Sequence, residues 1–168
     1  MLAPTTISEI NTMRVRIETH LNYLSRIIKE NTDLLIAAKM DGDDKRATTL
    51  STQIESQKLN KTKIEIIDAL LDSYSQTGDL RVLLDQSRIH QEKYATNWSL
   101  SNSIWGLFKT DASQSICSSF IRFVDREAKP LIEAEQAKNK YEAAQMREYF
   151  KTNQGKEMIE TLRFISRG

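Results

Sequence analysis

From Ile10 onward the apolar residues recur at steps of three and four: Met13, Ile17, Leu21, Leu24, Ile28 and Leu35 follow on one stripe. That period predicts a long amphipathic helix. Thr6 and Glu9, just after Pro4, have the spacing of a capping box, so the helix is expected to start near Thr6. Asn31 falls on the same stripe, either as a buried amide that fixes register or as a solvated gap. The run Met40-Asp41-Gly42-Asp43-Asp44 predicts a stop and a new start, with Asp43 or Asp44 as the cap. The second stripe is Ala47, Leu50 and Ile54, then Ile64, Ile67, Leu71 and Tyr74. Between its two halves Glu55 to Lys63 is mostly polar, which predicts weak packing or exposure to water.

Gly78 and Asp79 mark the next junction, and Leu80, Leu83, Leu84, Tyr94 and Trp98 belong to a third helix. A fourth is expected to start at a capping Asp111 and to run through Ile116, Phe120, Val124, Leu131, Tyr141 and Tyr149. Pro130 lies inside it and removes one backbone bond, so a kink or a break into two helices is expected there. Asn153-Gln154-Gly155 reads as a turn before a short last helix holding Met158, Ile159, Leu162 and Ile165. Glycine suits such ends because it reaches positive φ without a Cβ clash.

Length selects the architecture. A helix of about 35 residues spans roughly 50 Å, and the first two helices are joined by a tight turn, which predicts an antiparallel hairpin. The fold class is therefore all-α: an elongated antiparallel bundle of four long helices, the fourth kinked at Pro130, plus a short C-terminal helix. The whole of residues 1–168 is expected to be a single domain. The competing architecture is a set of extended hairpins that dimerise through the same stripes.

Composition agrees with that class and narrows the function. Only 5 Gly and 2 Pro occur in 168 residues, too few breakers for an all-β fold. The 24 basic and 23 acidic residues are interspersed, so nucleic acid is not an expected partner. Arg122, Arg126 and Lys129 lie at helical spacing, but Asp125 and Glu127 interrupt them, which predicts a salt-bridged face. One cysteine excludes an intramolecular disulfide and suits a reducing compartment. The first residues lack the basic and apolar regions of a secretory signal, and no apolar run is long enough for a membrane span. A cytoplasmic protein is expected, with export by a route that needs no cleaved signal left open.

Candidate chemistry is sparse. His20 sits beside the first stripe and His90 beside Ile89; both are expected at a boundary or in solvent. The residues three before them are Ile17 and Ser87, so the Glu-x-x-His pair of di-iron bundles is missing, as is HExxH. Cys117, between Ile116 and Ser118, reads as a small apolar side chain. An EF-hand loop from Asp41 needs glycine where Arg46 stands and glutamate where Thr52 stands. No catalytic residue, metal ligand or cofactor is expected. Glu148, Glu157 and Glu160 near an apolar end resemble the glutamate-rich translocation signals of bacterial secreted effectors.

One segment stands apart. From Tyr94 to Ile121 the only charges are Lys109 and Asp111, against about eight at the average for the chain. Trp98, Leu100, Ile104, Trp105, Leu107 and Phe108 fall within eleven residues of it. A cap at Asn102 would put Ile104, Leu107 and Phe108 on one face of a short helix. Three roles suit it: a plug at the end of the bundle, a protein-binding surface, or shallow insertion at a membrane interface. The function read from the sequence is a non-enzymatic helical module, an adaptor or regulator, that binds another protein through these six residues. The alternative is a peripheral membrane protein using residues 98–108, then an enzyme whose groups converge from distant positions. A second copy of the chain is a further candidate partner.

Overall fold

A computed structural model describes the backbone of residues 2–104 and 112–167, and the side chains of 2–94 and 112–167. Among the described residues the chain is all helical, with no strand. The helices are α1 (Pro4–Met40), α2 (Asp44–Thr77), α3 (Leu80–Ile104), α4 (Ser113–Glu127), α5 (Lys129–Phe150) and α6 (Asn153–Arg167). They group into two compact units, Met1–Glu127 and Ala128–Gly168.

In the first unit the junctions follow from local chemistry. The α1 helix starts at Pro4, two residues before the expected capping box, and its N-cap Ala3 makes no side-chain cap bond. Proline presets φ for the first turn and lacks an N–H that would go unpaired there. Thr6 is thus inside the helix, buried, and its hydroxyl donates to Glu127 Oε1 at 3.5 Å. Gly42 takes φ +72°, and Asp43 caps α2 by accepting from the Arg46 N–H at 3.2 Å. Gly78 takes φ +63° and closes α2 with a bond from its N–H to the Tyr74 carbonyl. Asp79 then accepts from the Val82 N–H at the start of α3. The expected cap Asp111 lies outside the described residues.

Helix α1, 37 residues and about 55 Å long, pairs with α2 in one antiparallel register. Arg14 meets Asp68 and Asp72, Asn31 donates to Gln57 Oε1 at 3.1 Å, and Ala38 packs with Ala47 and Leu50. Asn31 is half-buried and bonded across the hairpin, which decides between the two expectations for it. The α4 helix runs antiparallel to α1: Thr6 reaches Glu127, Glu9 pairs with Arg126, Arg16 donates to Ser115 and Ser119, and His20 meets Ser113. The core between them is Ile10, Ile17, Leu24, Ile64, Ile67, Leu71, Phe120, Phe123 and Val124. Leu21 and Ile28, expected on the stripe, are half-buried, and the polar middle of α2 is not all solvated, since Asn60 and Lys63 are buried.

Pro130 breaks the chain rather than kinking one helix. Helix α4 ends at Glu127, Ala128 leaves helical geometry at φ −91°, ψ 5°, and Pro130 sits in the first turn of α5, where its missing N–H costs nothing. In the second unit Gly155 does not form a turn. It is the third residue of α6, and a Cβ on it would stand 2.2 Å from the Tyr149 carbonyl oxygen and 2.6 Å from the Phe150 Cα. The residue is there so that two backbones can touch. Thr152 supplies the cap, accepting from the Gly155 N–H at 3.1 Å.

Candidate functional site

The α3 backbone continues as helix through Trp98, Leu100 and Asn102 to Ile104, so Asn102 caps no separate short helix. The side chains of Trp98, Leu100 and Ile104, and all of Trp105, Leu107 and Phe108, lie outside the described residues. Tyr94, at the start of the segment, is buried against His90, with ring centroids 4.9 Å apart.

Both histidines are buried, against expectation. His20 Nε2 is 2.6 Å from Ser113 Oγ, and its ring stacks on Tyr23 at 5.9 Å. His90 Nε2 donates to the Lys63 carbonyl at 3.3 Å. Burial is what pushes the His90 imidazole below its ordinary range; the bond to the Lys63 carbonyl opposes this, and the Lys63 charge adds to it. Lys63 itself is buried, with its Nζ 5.7 Å above the Tyr94 ring. Sequence period places position 20 next to the stripe, but it does not reveal the hydroxyl of Ser113, 93 residues away, that meets the buried imidazole.

A histidine beside a serine invites comparison with a nucleophile and its base. Ser113 is 1% exposed and His20 6%, so the pair is buried. Cys117 is half-buried one turn further along α4. A small cleft between α1, α2 and α4 is lined by Met13, Ile17, Ile67, Leu71, Ile116 and Phe120, with Arg16 and Ser119 as its polar members. Nothing in that lining has the pairing of acid and base that proton transfer needs. Among the described residues no group of three or more His, Cys, Asp or Glu side chains is placed to hold a metal ion, and no helix is long and apolar enough to cross a membrane.

Several charged groups on the first unit are engaged with one another. Arg14 donates to Asp68 at 3.0 Å and to Asp72 at 2.8 Å, and Arg126 pairs with Glu9. Lys129 pairs with Glu133 in the second unit. Of the three basic residues read as a salt-bridged face, Arg126 and Lys129 are paired in this way. Glu127 is a hub that accepts from Thr6 and, at 3.3 Å, from the Tyr74 hydroxyl. Burial first, and Glu127 second, push the Tyr74 phenol up to about 12.

The second unit presents the opposite surface. No residue of α5 is buried, and in α6 only Gly155 is. Gly155, Met158, Ile159, Leu162 and Ile165 recur on one face of α6, while Lys156, Glu160, Arg163 and Arg167 occupy the other. The face begins on the end of α5, where the Tyr149 hydroxyl is 4.0 Å from Met158 Sδ. Beyond that point it is open: Leu162 is 55% exposed and Ile165 66%. Tyr141 and Met146 of α5 are exposed too. The sequence carried this signal in the three- and four-residue steps after Gly155; what it did not carry is that no other helix of the unit covers them.

Comparison with known proteins gives no family model, no curated protein and no solved structure that matches the chain.

Proposed function

We propose that the chain is a helical protein-binding module in which α1 to α4 form an antiparallel four-helix scaffold and α6 is the element offered to a partner. The observation that carries this is the α6 face on which Met158, Leu162 and Ile165 are exposed and Ile159 half-buried, in a unit of about forty residues that buries almost nothing. Exposed large side chains at i, i+4 and i+7 are the anchors by which a helix seats in an apolar groove of another protein. Two features speak for a groove over the alternatives. On the polar face Glu157 and Glu160 interleave with Lys156, Arg163 and Arg167, so the acidic pair offsets most of the basic charge that would draw a helix to anionic lipid. Two helices of 15 residues give a short seam for a pair of copies. The scaffold reading is supported by the single register in which α1 meets both α2 and α4. In this reading binding, not catalysis, is the activity.

The test is a photo-crosslinking residue placed at Leu162 or, on the polar face, at Arg163 of the full chain in its native cell. A partner captured from position 162 and not from 163 is the expected result. With that partner purified, Leu162→Asp or Ile165→Asp should weaken binding by about 2 kcal/mol or more, with the unfolding midpoint of the first unit unchanged. Equal capture from both positions, or wild-type affinity in both variants, overturns the assignment. Binding lost only in a Trp105→Ala, Phe108→Ala double variant would return the surface to the aromatic segment. Sedimentation of the wild type with phosphatidylserine vesicles would favour a membrane.

A further inference from the structure

One of the contacts that hold α3 to α2 is made by a buried imidazole. His90 is 8% exposed, and its Nε2–H donates to the Lys63 carbonyl at 3.3 Å. The titratable groups facing it are Lys63 of α2 and Tyr94 one turn along α3. No acidic side chain among the described residues acts on its titration. A proton added at Nδ1 would place an imidazolium in the core beside the Lys63 ammonium, which already lies over the Tyr94 ring. We propose that His90 makes the seating of α3 on α2 acid-sensitive, so that proton uptake releases α3 while the α1–α2 hairpin stays paired.

The direction follows from linkage. Released α3 carries an ordinary imidazole with a pKa of about 6.5, whereas burial holds the seated one lower. The released state therefore takes up the proton first. Seating is favoured above that pH and loses ground as the pH falls below it, by at most about tenfold per unit.

Hydrogen exchange of the full chain at pH 7.5 and 5.5, corrected for intrinsic exchange rates, tests the idea. Amides of residues 80–94 should lose up to about tenfold protection relative to those of α1 and α2, and His90→Gln should abolish that loss. Glutamine still offers an N–H to the Lys63 carbonyl but takes up no proton at these pH values. Unchanged α3 protection, an equal loss in α1 and α2, or the same loss in His90→Gln overturns the proposal. Should the variant not fold, the NMR titration of the His90 ring in the wild type decides: a midpoint below the ordinary value sustains the proposal, and one at or above it overturns it.

Discussion

Leu24 and Leu21 lie three residues apart on α1, yet Leu24 is fully buried and Leu21 only half-buried. Leu24→Ala should therefore cost about 2–5 kcal/mol and Leu21→Ala distinctly less, as urea unfolding of the two variants would show. Tyr74 gives a pH-dependent counterpart. Its phenol is pushed up to about 12 by burial and by Glu127, above the ordinary value near 10. The unfolded chain thus releases this proton first, so stability is intact below about pH 10 and declines as the pH rises toward 12. Thermal midpoints at pH 9 and 11 should drop less in Tyr74→Phe than in the wild type. At this scale the apolar stripes were legible because burial of Ile10, Ile17, Leu24, Ile64 and Ile67 follows helical period. His20, His90 and Lys63 were not, because each is buried on account of partners at least 27 residues distant, or of a ring on another helix.

Elements announce their ends through glycine, proline and aspartate, but the same residue type does different things. Gly42 and Gly78 adopt positive φ at helix ends, as expected of them. Gly155 has no such conformation and is required by contact alone. Gly155→Ala should accordingly act like overpacking, at about 1–3 kcal/mol, by driving the first turn of α6 off the end of α5. Limited proteolysis near Thr152 should speed up, with the unfolding midpoint of residues 1–127 unmoved. Unaltered cleavage would show that the two backbones can part without penalty. Pro130 was readable as an interruption, and Ala128 decides its form by taking up a non-helical conformation just before α5.

On the scale of the molecule, the period of each stripe reveals which face of a helix is apolar but not what covers it. That is why the helices could be read from sequence and the division after Glu127 could not. The first unit has its own core, built from α1, α2, α3 and α4. A chain ending at Glu127 should fold cooperatively, with a melting temperature within a few degrees of that of the full chain. Residues 128–168 alone should show weak helicity by circular dichroism, since short helices without tertiary contacts are marginal. Cooperative melting of the isolated segment would mean that it completes its own core, for example by self-association at high concentration.

The shared register of the α1–α2 hairpin also limits how its length can vary. The Arg14–Asp68 pair near one end, the Asn31–Gln57 bond and the Ala38–Ala47 contact near the other all fall in the same register. A single residue inserted after Ile54 would turn everything beyond it by about 100°, swinging Ile64, Ile67 and Leu71 out of the core. Seven residues leave a drift of only about 20°, but in one arm alone they would still slide Asn31 past Gln57. Growth or shrinkage of this hairpin is therefore tolerated in matched steps, a heptad in each arm on the Gly42 side of Asn31 and Gln57. Versions of the chain that differ in length should differ there by the same multiple of seven in both helices.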